Sequence, residues 1–321
     1  MRSIFVGTVE ISWHCLHTLL EMGEEVIAIF TMPDRLAPSI SAYKGFDDIG
    51  QQYGVPVYKT TDINSDQILS IMRRLQPEII YVIGWPRLVK RAILDLPPKG
   101  CVGIHSSLLP KYRGGAPVNW GLINGETEWG ISFFYLEEGP DTGDIIAQER
   151  FLITLEDTCG TVYDKATEAS IRVLKQYVPL LAQGTAPRIP QDHSQATLYP
   201  KRRPYQGIVD WKKTAMQLYN WVRALTHPYP GAFTYLPNGR KLFIWQAEPP
   251  NRALFLEDSL KRPPGSVLAV LPYRGIAVQT GDVPIVLTRV QTEGEIEMLA
   301  SVWALHNKDL TNIRFLEQPP V

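Results

Sequence analysis

The sequence has few cysteines, almost no net charge and no long apolar run, and each shortage excludes a class of protein. Only three of its 321 residues are cysteine. Their odd number argues against a disulfide framework, and they form no metal-binding spacing. Both observations predict a reducing, cytoplasmic compartment. The formal net charge is −1, so no overall positive field gathers nucleic acid. No apolar run approaches the roughly 18 residues of a membrane span, and the N-terminal stretch lacks a signal-peptide pattern.

Several cofactor motifs are also missing. The first strand-to-helix turn reads GTVEIS rather than Gly-x-Gly-x-x-Gly, so a dinucleotide cofactor is poorly supported. There is no Gly-rich phosphate loop ending in Lys-Ser/Thr. Because neither His-Glu-x-x-His nor paired Cys-x-x-Cys occurs, we predict no catalytic metal.

What the first half of the chain does have is an alternation of short apolar segments with segments of helical spacing. This alternation predicts an α/β fold, a Rossmann-like parallel sheet covered by helices. Strands are predicted at Ser3–Val6, Glu25–Phe30, Val55–Tyr58, Ile79–Ile83 and Cys101–Ile104, and helices at Trp13–Met22, Asp47–Tyr53, Gln67–Leu75 and Ala92–Leu96.

The second half reads differently. A long amphipathic helix is predicted over Thr161–Leu181, a polar linker over Gln183–Arg203 and a helix over Lys212–Leu225. Short strands with turn signals follow and predict a smaller β-barrel: Ala232–Leu236, Lys241–Ala247, Gly265–Val270, Ile276–Thr280 and Val283–Val290. We therefore predict a catalytic domain over residues 1–200 and an OB-like β-barrel domain over residues 201–321.

Two short segments form a candidate split active site. GIHSSLLPKYRGG has His105 at its head, and EEGPDTGD has Asp141 in its middle. Between them lie a predicted short helix, WGLING, and a predicted strand, WGISFFYL, which can carry Asp141 back beside His105. A carboxylate beside a histidine can share its proton, fix the imidazole and favour its charged form. Asp is also common as a turn former, so a structural role is the alternative.

These two segments resemble the motifs of the folate-dependent formyltransferases. Members of that family carry an Asn-x-His-x-Ser-Leu-Leu-Pro-x-x-Arg-Gly run, followed by an Asp-Thr-Gly-Asp run. The matching residues here are His105, Ser107, Leu108, Leu109, Pro110, Arg113 and Gly114 in the first run, and Asp141, Thr142, Gly143 and Asp144 in the second. The segments RPYQGIVDW and PYPGAF extend the resemblance to the C-terminal barrel of the family, so that it covers most of the chain.

The resemblance implies an N-formyltransferase that takes its formyl group from 10-formyltetrahydrofolate and uses His105 and Asp141 in catalysis. Some members have an arginine in place of Gly115, so one folate contact is expected to be missing here. The residues implied to hold the folate are Arg87, Leu88, Val89, Ser107, Leu108, Leu109, Pro110, Glu137, Glu138, Gly139, Pro140 and Asp141.

The acceptor amine is the least defined part of this expectation. Members that act on methionyl-tRNA carry a basic insertion after the second strand, whereas the corresponding segment 33–48 has only Arg35 and Lys44, offset by three aspartates. Because RNA binding depends on many phosphate contacts, we expect a nucleotide-linked amino sugar as the acceptor. Methionyl-tRNA is the second candidate, and a folate-binding paralogue without catalysis is the third. A homodimer remains open.

One position departs from the family motif. The family asparagine two residues before the histidine is Gly103 here, which leaves the oxyanion site one side-chain amide short. Loss of one such donor typically costs on the order of 10²–10³ in turnover. Ser106, Asn119 or a water can replace the amide, or Gly103 can serve a close backbone approach that a side chain would hinder.

Overall fold

The computed structural model describes residues 1–251, 262–307 and 310–320. The chain divides into two compact units. Unit 1 comprises Met1–Pro117, Glu128–Ile153 and Val162–Lys201, and unit 2 comprises Val118–Thr127, Thr154–Thr161 and Arg202–Val321. Within the described residues, no helix has the length and apolar character needed to cross a membrane.

Unit 1 is built on a seven-stranded sheet with the order β3-β2-β1-β4-β5-β7-β8. The first five strands of this order run parallel to one another, whereas β7 and β8 are antiparallel to their neighbours. The strands are β1 (Arg2–Val6), β2 (Glu25–Thr31), β3 (Val57–Lys59), β4 (Ile79–Ile83), β5 (Cys101–His105), β7 (Glu128–Tyr135) and β8 (Ile145–Leu152), and a separate two-stranded pair joins β6 (Arg113–Gly114) to β9 (Leu198–Tyr199).

Helices cover both faces of this sheet because its parallel strands are apolar on both sides. Along β1, Phe5 belongs to one core cluster, whereas Ile4 and Val6 belong to another, as the alternation of a strand requires. The first cluster also contains Leu16 and Leu174. The helices of unit 1 are α1 (Glu10–Glu21), α2 (Asp47–Tyr53), α3 (Asp66–Leu75), α4 (Arg91–Leu94) and, from Val162 onward, α6 (Cys159–Gln183).

The predicted Rossmann-like sheet is confirmed, with two differences. Strand β8 was not predicted and forms an edge of the sheet. The stretch 183–201, predicted as a free linker, instead packs on unit 1. Its Ile189 bridges Ile145, and its β9 pairs with β6. The prediction failed there because the pairing partners lie far away in sequence.

Unit 2 has a six-stranded antiparallel sheet within the described residues, so the predicted C-terminal β domain is confirmed. Its elements are α5 (Pro117–Asn124, from Val118 onward), α7 (Ala215–Leu225), β10 (Ala232–Tyr235), β11 (Lys241–Ala247), β12 (Val267–Leu271), β13 (Gly275–Val278), β14 (Ile285–Thr292), β15 (Met298–Leu299) and α8 (Ala300–His306). The segment 314–316 bridges Tyr235 at the end of β10 and Ser266 beside β12. The two outer strands of the sheet are thus joined through one segment.

All three cysteines are free and buried. Burial raises the pKa of the Cys101 thiol to about 12, so it stays protonated at neutral pH and does not act as a thiolate nucleophile.

Candidate active site

His105 is the last residue of β5, at the carboxyl end of the parallel strands, where open α/β sheets bind ligands. It pairs with Ser132 on β7 and is 8% exposed. The sheet therefore fixes the backbone of His105, and the imidazole is almost removed from solvent.

Both nitrogens of the imidazole face hydrogen-bond acceptors. Nε2 lies 2.7 Å from the main-chain oxygen of Tyr112. A carbonyl can only accept, so Nε2 carries a proton and donates it. Nδ1 lies 3.6 Å from Oδ2 of Asp141. The imidazole and the carboxylate of the two predicted site residues therefore lie side by side, at a distance longer than a hydrogen bond.

Asp141 is held in an uncommon main-chain conformation. Its φ is +55°, in the left-handed region that side chains other than glycine adopt rarely. Its Oδ2 accepts a hydrogen bond of 2.8 Å from the main-chain N–H of Gly114. The loop after β5 (residues 106–115, the SLLP loop) and the loop after β7 (residues 137–144, the DTGD loop) thus meet at one carboxylate. The left-handed turn orients this carboxylate toward His105.

The hydroxyl of Ser132 forms hydrogen bonds with the main chain of the SLLP loop. Ser132 is fully buried, and its Oγ donates to the carbonyl of Ser107 at 2.7 Å while accepting the N–H of Leu109 at 2.9 Å. The amide of Gln148 donates at 2.8 Å both to Ser132 Oγ and to the Leu109 carbonyl. Since the Ser107 hydroxyl donates to the Lys111 carbonyl at 2.7 Å, it too shapes the loop.

Residues 191–201, which we call the strap, also form hydrogen bonds with the SLLP loop. The main chain of Tyr112 donates to Thr197 Oγ1 at 2.8 Å, and that of Gly115 donates to the Tyr199 carbonyl at 2.9 Å. The ammonium group of Lys201 donates to the main-chain oxygen of Pro86. The strap therefore ties the SLLP loop to the segment that follows β4.

Arg113 of the SLLP motif points into the structure and is 7% exposed. Its Nη2 donates to Oε1 of Gln191 at 2.6 Å and lies 3.0 Å from Nδ1 of His193. Burial lowers the pKa of the Arg113 guanidinium, and the nearby Asp141 charge opposes this shift. Arg113 is thus a structural cation beneath the candidate site.

A pocket of about 560 Å³ opens in unit 1, within the size range of small-molecule sites. Of the residues predicted to hold the folate, Glu137, Glu138 and Gly139 line it, whereas residues 87–89, 107–110, Pro140 and Asp141 do not. The Leu88 carbonyl accepts from Asn64 at 3.0 Å, which fixes the 87–89 loop elsewhere. The pocket is lined by Arg91, Leu94, Asp95, Gly100, Cys101, Tyr135, Leu136, Glu137, Glu138, Gly139 and Arg188.

Gly103 has no room for a side chain. A Cβ at this position would lie 2.6 Å from the main-chain oxygen of Val82 and 2.8 Å from Cδ1 of Leu136. This geometry favours the close-approach interpretation over a missing donor. Gly115 is restricted in the same way, because a Cβ there would lie 2.6 Å from the Cα of Lys201. The proposed replacement Asn119 is fully buried in unit 2 and donates to the Ala224 carbonyl.

Gly103→Ala should lower the free energy of unfolding by about 1–3 kcal/mol, because a single methyl group overpacks the β4–β5–β7 contact. Urea denaturation measures the change. Gly45→Ala is the matched control, since its nearest neighbour would be Asp34 Oδ1 at 3.9 Å; we expect it to stay within about 0.5 kcal/mol of the wild type. Equal stability of the two variants would contradict the close-approach interpretation of Gly103 and would favour the missing-donor interpretation.

Sequence reasoning missed the residues that support the pair. Ser132 and Gln148 are polar side chains in otherwise apolar strand segments, which is the one signal the sequence offered for them. Gln191 and Thr197 lie in the polar stretch interpreted as a linker and gave no signal. Among the described residues, no group of three or more His, Cys, Asp or Glu is placed to hold a metal ion.

The chain thus has a mixed α/β sheet with an imidazole–carboxylate pair at its strand ends, followed along the sequence by an antiparallel β unit. Residues 4–178 match the formyl transferase family model, and residues 201–308 match the model of the formyl transferase C-terminal domain. The chain belongs to the formyl transferase family and is a formyltransferase.

Its curated relatives share the whole length. Methionyl-tRNA formyltransferase of Pelotomaculum thermopropionicum is 37% identical over 298 residues, which are 92% of each chain. The enzyme of the same name from Desulforamulus reducens is 34% identical over 93% of this chain and 92% of its own.

Solved structures show the same fold at lower identity. HypX of Aquifex aeolicus in complex with tetrahydrofolic acid superposes with a TM-score of 0.65 at 18% identity; the match covers 97% of this chain and 48% of HypX. The present chain therefore spans about half the HypX length. A sugar 3N-formyl transferase, WlaRD, has a TM-score of 0.64 at 16% identity, covering 92% of this chain and 99% of its own.

Proposed function

We propose that this chain transfers the formyl group of 10-formyltetrahydrofolate to the amino group of methionyl-tRNA. The observation that carries the choice of acceptor is the set of full-length relatives of that name, at 32–37% identity. Among the comparisons, the amino-sugar acceptor that the sequence alone favoured is supported by structures at 20% identity or less. The acceptor is thus a primary amine carried on RNA rather than on a free nucleotide.

The formyl donor is assigned to the region beside the His105–Asp141 pair, at the carboxyl end of β5. Residues 137–139, which precede Asp141, line one wall of the 560 Å³ pocket, whereas its Gly100 and Cys101 lie at the amino end of β5, away from His105. Tetrahydrofolic acid and 5-N-formyl-tetrahydrofolate are named with the structural neighbours HypX and WlaRD.

The chemistry follows from the pair. The unprotonated amine attacks the formyl carbon, a C–N bond forms and an oxyanion develops. The new ammonium must lose a proton, and the folate nitrogen must gain one when its bond to the formyl carbon breaks. His105 and Asp141 can accept the first proton and return it as the second, so the cycle leaves both groups as they began.

A nucleotide-linked amino sugar is the second candidate, and the charges of segment 33–48 favour it. Asp34 and Asp47 each lie 2.5 Å from Nζ of Lys59, so this nearby lysine is already paired and is less available to a phosphate. The ammonium of Lys44 lies 5.5 Å from the ring centroid of Trp13, which leaves Arg35 as the other basic side chain of the segment. Such a surface offers few phosphate contacts to RNA.

A competition between acceptors tests the proposal. The full chain is given 10-formyltetrahydrofolate with initiator methionyl-tRNA, with several nucleotide-linked amino sugars, or with no acceptor, and the products are identified by mass spectrometry. We expect the fastest transfer to methionyl-tRNA, with His105→Ala as the inactive control. Faster transfer to any amino sugar overturns the choice of acceptor. Folate binding by calorimetry without transfer to any acceptor identifies the non-catalytic paralogue instead.

A further inference from the structure

We propose that Gln191 is a positioning residue for formyl transfer, which acts by holding the main chain of Asp141 so that its carboxylate faces His105. This inference rests on the proposed function for its reaction, whereas the contacts that carry it are independent of the acceptor. Gln191 lies in the strap, outside the matches to residues 4–178 and 201–308. Neither family match therefore covers it.

Both ends of the Gln191 amide are engaged. Its Nε2 donates to the main-chain oxygens of Asp141 at 2.9 Å and Gly143 at 2.7 Å. Its Oε1 accepts from Arg113 Nε at 3.2 Å and Nη2 at 2.6 Å. The side chain is 6% exposed, so these contacts form with little competition from water, and their loss would leave buried polar groups unpaired.

The carbonyls of Asp141 and Gly143, which accept hydrogen bonds from Gln191, belong to the turn that orients the Asp141 carboxylate. Asp141 stays at φ +55° only while its surroundings outweigh the cost of that conformation, on the order of 1–3 kcal/mol. Gln191 holds the main chain of this turn, and the Gly114 N–H holds its carboxylate at 2.8 Å. Without the first contact, the turn can relax and move Oδ2 away from its position 3.6 Å from His105 Nδ1.

The chemistry of the site requires an amide at position 191. A glutamate of the same shape would keep the contact with Arg113 but would place an oxygen against the carbonyls of Asp141 and Gly143, where no proton is available to share. A methionine of similar length would keep the packing and lose every hydrogen bond. The two substitutions therefore remove the grip on Asp141 in different ways.

Gln191→Glu and Gln191→Met should each lower kcat by about 10–100-fold, because displacement of a reacting group by about 1 Å costs on this order. We expect a smaller change in KM for the acceptor and a thermal midpoint that remains a single transition. Gln195→Met is the matched control. Gln195 is exposed in the same strap and bonds Asp192 at 3.1 Å, so this variant should retain wild-type turnover.

A second measurement separates positioning from a general structural role. The ¹⁵N signals of the His105 ring report which nitrogens are protonated, and Asp141→Asn provides the reference for a lost carboxylate. In Gln191→Met these signals should move toward those of Asp141→Asn, whereas in Gln195→Met they should stay at the wild-type positions. Wild-type His105 signals in a folded Gln191→Met variant would overturn the proposal, whatever its turnover. Absence of formyl transfer in the wild type refutes the proposed function but leaves this test intact.

Discussion

Replacing His105 or Asp141 with alanine should lower turnover by about 10²–10⁴-fold, the range that a positioned acid–base group contributes. Each variant removes one half of a pair whose reacting atoms lie 3.6 Å apart. Single-turnover formyl transfer measures the loss, and circular dichroism with a thermal melt verifies folding. His306→Ala is the control, because the His306 side chain lies on the surface and bonds only the carbonyl of Val302 among the described residues.

The double variant carries the sharper expectation. If His105 and Asp141 act as one unit in proton transfer, as proposed, removing both should cost little more than removing His105 alone. Losses that multiply would show that the two residues act separately. Near-full turnover in Asp141→Ala would make the carboxylate a turn former, the alternative role considered for it from the sequence.

Ser132→Ala should have the second-largest effect. This change deletes one oxygen from a fully buried site and leaves the N–H of Leu109 and the carbonyl of Ser107 without their partner. Each unsatisfied buried group costs about 1–3 kcal/mol, and the SLLP loop beside His105 is expected to shift. Turnover should fall by about 10²-fold, as for a misplaced reacting group.

The matched control for this prediction is Ser39→Ala. The Ser39 hydroxyl is exposed and bonds the Leu36 carbonyl at 2.8 Å, so this variant should retain both stability and turnover. Urea denaturation and initial rates are measured on both proteins. Ser132→Ala with wild-type rates would show that the loop keeps its shape without the serine.

The elements predicted well are those whose signal is local. Strand β4 is buried along its full length, and a continuous apolar run indicates such a strand directly. Strand β8 begins with three buried residues and then alternates between exposed and half-buried positions. It follows the DTGD turn at once and forms the sheet edge, so its pattern was too weak to separate from a loop.

The site divides in the same way. His105 and Asp141 were found because each lies in a motif with a fixed spacing, and the structure brings them together. The role of Gln191 was not predicted, because Gln191 is 78 residues from Arg113 in sequence and its amide donates to main-chain oxygens. Every residue type has a main-chain oxygen, so the identity of the residue that accepts such a hydrogen bond gives no sequence signal for the contact. Gly103 was noticed as a departure from the motif, but the crowding that explains it comes from Val82 and Leu136.

The discontinuous make-up of unit 2 has a consequence for how the chain acquires its structure on the ribosome. Helix α5 has Val118, Asn119 and Leu122 fully buried, and the Asn119 amide bonds the carbonyl of Ala224, which is 105 residues later. At about 5–20 residues per second, that carbonyl leaves the ribosome roughly 5–20 s after the helix. Throughout this interval the amide of Asn119 lacks the partner that it has in the folded unit, and unit 2 completes its folding only after synthesis of unit 1 has ended.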